Sequence, residues 1–113
     1  MMKDREILAA FDEVAKLRGW QSLHTPKNLA MALSVEVAEL GKHFQWKDES
    51  EIFALMKTES AAAVAAELAD IQMYLTKLAV VLDIDMDIAL RDKMAENRRR
   101  CQIELPSEGF NER

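Results

Sequence analysis

The sequence predicts an all-α fold of four helices, and three observations carry that expectation. Leu, Ala, Met, Glu and Lys dominate while Gly and Pro number five together in 113 residues, which is the composition of long helices. Apolar residues recur with helical rather than alternating spacing. Each periodic stretch also meets a residue suited to start or stop a helix.

Residues 4 to about 18 place Ile7, Leu8, Phe11, Val14, Ala15 and Leu17 at helical spacing, with Gly19 as the stop. Trp20 and His24 lie in a short link that ends at Thr25-Pro26, a cap and a first-turn proline for a second helix reaching about Phe44. The polar stretch from Trp46 to Glu59 reads as a mobile connection with one or two turns over Ile52 to Met56. Ser60 is placed to cap a third helix to about Leu82, roughly 33 Å long. Asp83-Ile84-Asp85 interrupts it, and Asp85 is a cap for a fourth helix to about Arg100 or Cys101. A loop-like tail from about residue 102 completes one expected domain, 1–113.

Two acidic pairs stand out, Glu36-Val37-Ala38-Glu39 and Glu67-Leu68-Ala69-Asp70. Residues at i and i+3 share one side of a helix. On the second helix Glu36 falls near the middle of the stripe Leu29, Leu33, Leu40, Phe44, with Glu39 on its margin. On the third, Glu67 sits within Val64, Ile71, Tyr74, Leu75, Leu78, Leu82, and Asp70 lies beside it. Unpaired carboxylates leave water at high cost and repel one another. A cation between them offsets both terms, and four carboxylates without thiols or an imidazole pair suit Mg²⁺ or Mn²⁺. The alternative is two solvated acidic edges, which would also expose the leucine stripes.

Residues 91–100 hold five Lys or Arg against Asp92 and Glu96, in a chain whose formal charge is −5. Lys93, Asn97 and Arg100 fall at i, i+4 and i+7 and can reach one phosphate-bearing ligand. Basic residues also simply favour a helix C-terminus. The overall negative charge argues against a nucleic-acid or anionic-membrane binder. Cys101 is the only cysteine, apolar runs are too short to span a bilayer, and the first residues lack the apolar core of a signal peptide, so a cytoplasmic protein is expected.

Taken in order, Trp20, His24-Thr-Pro-Lys-Asn28-Leu, Glu36-Val-Ala-Glu39-Leu, Phe44-Gln-Trp46, Glu67-Leu-Ala-Asp70 with Tyr74, and Lys93 through Asn97-Arg-Arg-Arg100 resemble the MazG-like all-α nucleoside triphosphate pyrophosphohydrolases. The likeness is greatest to the branch acting on dCTP. It implies Mg²⁺-dependent hydrolysis of a nucleoside triphosphate, usually a deoxynucleotide, to monophosphate and pyrophosphate, in nucleotide house-cleaning or pool control. It further implies a four-helix bundle completed by homo-oligomerisation, as dimer or tetramer. By that resemblance Glu36, Glu39, Glu67 and Asp70 take the metal and the catalysis. Lys93 and Asn97 take the phosphates, with Arg100 beside them, and Trp20, His24, Asn28, Trp46 and Tyr74 line the nucleoside pocket. Two positions depart from the family pattern: Val35 stands where MazG sequences carry a further Glu, and Cys101-Gln102 where the related branch often reads Tyr-Pro. His43 matches no family position and is expected to be structural or exposed. A di-iron carboxylate bundle would need Glu-x-x-His, which neither pair supplies. A non-catalytic helical nucleotide-binding or interaction protein is the competing reading, and it leaves the acids within the stripes unexplained.

Overall fold

The computed structural model describes residues 3–104. Among them are five α-helices and one short 3-10 turn, with no strand. The helices fall into two units, one ending at Leu82 and the other beginning at Asp83.

In the first unit, α1 runs Asp4–Arg18. Glu6 Oε1 accepts the Lys3 N–H at 2.9 Å, which satisfies one of the donors a helix start leaves open. Gly19 ends the helix with φ 70°, a left-handed conformation that costs a residue without Cβ nothing. The 3-10 turn Gln21–Leu23 follows. Asn28 braces it, donating its side-chain N–H to the Leu23 carbonyl at 2.9 Å. Helix α2, Pro26–Phe44, starts as expected, with Thr25 Oγ1 accepting the Asn28 N–H at 3.4 Å and Pro26 in the first turn.

The stretch expected to be a mobile connection contains a defined helix, α3, Glu49–Leu55. Asp48 and Glu51 form a reciprocal capping box, each accepting the other's backbone N–H at 2.8 Å. Such a box satisfies two open donors at once, so a polar stretch of modest apolar content still holds a short helix. Helix α4, Ser60–Val81, begins one residue earlier than a Ser60 cap would allow. Glu59 occupies the cap position in helical backbone without a side-chain cap bond, and the Thr58 hydroxyl accepts the Ser60 N–H at 3.2 Å.

Helix α4 packs chiefly along α2 and to a lesser extent on α1. Leu29 of α2, Ala15 of α1 and Val64, Thr76 and Ala79 of α4 are buried. Small residues at 15, 76 and 79 let the backbones approach. The Thr76 hydroxyl is satisfied by Gln72 at 3.1 Å. Lys77 of α4 donates to Asp12 of α1 at 2.8 Å, tying the two helices. Leu82, expected in the α4 stripe, lies past the helix end and is half-exposed.

The second unit is α5, Met86–Glu104. Asp85 Oδ1 accepts the N–H groups of Asp87 and Ile88, as expected of its cap. The helix continues past Cys101 to Glu104, and the loop-like tail expected over Leu105 to Gly109 lies outside the described residues.

Leu29, at 1% exposure, is the most deeply buried large side chain described. Leu29→Ala is expected to destabilise the fold by about 3 kcal/mol, through lost burial and the cavity left behind. Urea unfolding followed by circular dichroism checks this; a loss under about 1 kcal/mol would mean that the site collapses or that the α2–α4 seam is not the core.

Candidate metal centre

The register of α2 against α4 turns Glu36 toward Glu67 and Asp70. One carboxylate oxygen from each of the three lies within 4.8 Å of the others, and all three side chains are half-buried. The Glu36 pKa is raised above the ordinary carboxylate value, first by burial, then by the adjoining Glu67 side chain, and then by the charges of Asp70, Glu67 and Glu39. The Tyr74 hydroxyl is pushed up as well, by burial first and then by Glu36 and Asp70. Like charge is therefore concentrated at one point on the seam. Oxygen donors alone, converging at this spacing and short of positive charge, fit a hard divalent cation.

Glu39 stands outside the group of three. Three residues past Glu36, it lies at the edge of the stripe, exposed, though near enough to raise the Glu36 pKa. His43 enters instead: its Nε2 is 3.6 Å from Glu67 Oε2. The sequence reading, structural or exposed, named no partner for it, yet a signal was present, because seven residues after Glu36 is about two helical turns and returns to the same face.

Next to the acids the first unit is hollow. A cavity of about 390 Å³ is lined by Trp20, Leu23, His24, Asn28, Leu29, Ala32 and Tyr74. A second, of about 260 Å³, shares Trp20, His24 and Tyr74 and reaches Asp70, with Phe11 and Met73 on its wall. Four of the residues expected to line a nucleoside pocket thus meet around the first cavity, and Asp70, on the wall of the second, belongs also to the acidic triad. Phe11 was legible only as part of an apolar stripe; in the fold its ring stands 4.9 Å from His24 and 5.4 Å, edge-on, from Tyr74.

Trp46 borders neither cavity. Helix α2 ends at Phe44, so Trp46 does not continue the helical face that carries Glu39; it turns with φ 68° and is 92% exposed. In the second unit, Lys93 Nζ is 3.2 Å from Glu96 Oε1, and Arg100 Nη1 is 3.9 Å from Glu96 Oε2. The hydrogen bond and charge of Lys93 hold the Glu96 carboxyl below its usual pKa. Asn97 lies exposed on the same helix.

Comparison with known proteins gives a consistent set of likenesses. The MazG-like family model matches residues 31–108. The dCTP pyrophosphatase 1 of Bos taurus is 42% identical over 94 residues, covering 82% of this chain and 56% of that protein. That of Homo sapiens is 40% identical over 94 residues, covering 82% and 55%. The chain spans about half the length of these curated relatives. A solved structure, a pyrophosphatase from Archaeoglobus fulgidus DSM 4304, superposes with a TM-score of 0.76 at 39% identity, covering 85% of this chain and 89% of that one.

The raised pKa of Glu36 sets a pH dependence for the metal-free protein. A carboxyl whose folded pKa exceeds its unfolded value stabilises the fold fully below the unfolded value, near 4.5, and loses that contribution as pH rises through the folded value. Glu36→Gln, neutral throughout, is expected to melt at higher temperature than the native chain at pH 7 in EDTA, with the advantage fading toward pH 4. Equal melting temperatures at both pH values would show that the triad carries no net repulsion.

Proposed function

The chain belongs to the MazG-like family, and from that premise we propose that it hydrolyses nucleoside triphosphates, dCTP-like deoxynucleotides foremost, to the monophosphate and pyrophosphate with Mg²⁺ as cofactor. The observation that carries the reading is the junction at Asp70, which belongs both to the acidic triad and to the wall of a cavity lined by Tyr74, Trp20 and His24. The pyrophosphatase names of the relatives support the reaction class.

Glu36, Glu67 and Asp70 would hold the metal, with Glu39 at the margin. When bound, Mg²⁺ supplies positive charge against the triphosphate and lowers the pKa of a water. The protein's own part is to place groups. Tyr74, Trp20 and His24 offer aromatic faces to a base, and Asn28, although its side-chain N–H is held by Leu23, keeps its carbonyl oxygen available as an acceptor. A carboxylate not committed to the metal accepts the proton of the attacking water as its oxygen bonds to the α-phosphorus. The bond from that phosphorus to the bridging oxygen breaks, and pyrophosphate leaves with the electron pair. Lys93, Asn97 and Arg100, on one face of α5, are the phosphate-binding groups of this proposal. Control of the deoxynucleotide pool is the role such a reaction serves.

Self-association belongs to the same proposal. Met31, Val35 and Val37 of α2, Leu68 of α4 and Trp46 are exposed, more apolar surface than a monomer of this size comfortably leaves in water. A homodimer or tetramer covering Trp46 is expected in light scattering, and a monomer at micromolar concentration would contradict it.

Asp70→Asn is expected to reduce kcat at least 100-fold with Mg²⁺ while helicity persists. In a single turnover in ¹⁸O-water, the label is expected in the nucleoside monophosphate. Label in orthophosphate with diphosphate formed would sink the reaction. Mg²⁺-dependent nucleotide binding without any turnover would favour the non-catalytic binding protein instead.

A further inference from the structure

The triad contains a mechanical problem. Glu67 is a long, flexible side chain beside two other carboxyls, and like charge there opposes its convergence with them. Among the described residues, one group of opposite polarity stands within ion-pair range of the triad, and it is His43. Its Nε2 approaches Glu67 Oε2 across the α2–α4 seam at 3.6 Å, with both side chains largely shielded, at 28% and 20% exposure. That is longer than a direct hydrogen bond, yet close enough for an N–H dipole to hold one edge of a carboxylate. A histidine retained only to favour the C-terminus of α2 could face any direction; this one faces the acid.

We propose that His43 is a positioning residue for Glu67, holding that carboxylate against the repulsion of its neighbours so that the triad is already converged when a divalent cation arrives. The inference rests on the triad being the metal site. Residues that hold metal ligands from behind typically contribute about 10-fold or more to metal affinity. Because Glu36 and His43 are two turns apart on one helix, α2 supplies both a ligand and the brace for a ligand carried on α4.

The test is a Mn²⁺ titration of the full chain, with free ion followed by electron paramagnetic resonance, on the native protein, His43→Ala, His43→Gln and Glu67→Gln. His43→Ala is expected to raise the Mn²⁺ Kd about 10-fold. His43→Gln, which keeps an N–H donor at similar reach, is expected to restore most of the affinity. At saturating metal, His43→Ala should leave the nucleotide KM unchanged, since the residue acts on the ligand set and not on the substrate. A native Kd in His43→Ala overturns the inference while leaving the triad in place, with Glu67→Gln as the variant that still loses affinity. A loss in His43→Ala that Gln fails to restore also overturns it, because the residue then serves packing alone. No Mn²⁺ binding by the native chain overturns both this inference and the metal site beneath it.

Discussion

Three carboxyl groups held within 4.8 Å of one another on a helix seam constrain most of what this protein can be. Left to itself the arrangement is unfavourable, since burial and the neighbouring carboxylates push the Glu36 pKa up. The cost is tolerated only because other parts of the fold hold α2 and α4 in register. Leu29 and Val64 bury apolar surface, Thr76 and Ala79 are buried beside them, and the Lys77–Asp12 pair ties α1 to α4. Packing stabilises the framework, and the framework holds the charges together.

Local chemistry fixes where that framework begins and ends. Gly19, Thr25 with Pro26, and the Asp48–Glu51 box settle the end of α1 and the starts of α2 and α3, while packing sets which residues of α2 and α4 face each other. A one-residue shift of either helix would rotate its acid by about 100° away from the seam. The link between α1 and α2 matters in the same way. By bracing the 3-10 turn, Asn28 keeps Trp20 and His24 beside Tyr74, and the cavity that results opens onto Asp70.

Much of this was legible in the sequence, because helix periodicity and caps are local signals. The bounds of α1 and α2, the break at Asp83 and the Asp85 cap follow from residues close together in the chain. The convergence of Glu36 with Glu67 and Asp70 followed from their place within apolar stripes. What escaped was relational. Polarity made the stretch around α3 look like a connection, although two side chains cap it. His43 looked idle because its partner is 24 residues away on another helix, and Phe11 looked like ordinary core because its neighbours His24 and Tyr74 come from separate elements. Trp46, expected beside a nucleoside by resemblance, falls past the end of α2 with a positive φ and is exposed.

Under the proposed reaction these features share a purpose, since a triphosphate needs positive charge near its phosphorus atoms and a flat, partly apolar recess for its base. The acidic seam and the adjoining cavity meet at Asp70, and the functional account stands or falls on what occupies that seam. Anomalous diffraction from crystals grown with Mn²⁺ tests it most directly. The account predicts a peak bounded by carboxylate oxygens of Glu36, Glu67 and Asp70 at about 2.2 Å, oxygen-ligand range for such an ion. Well-ordered acids with no peak between them, or a Mn²⁺ held elsewhere, would contradict it.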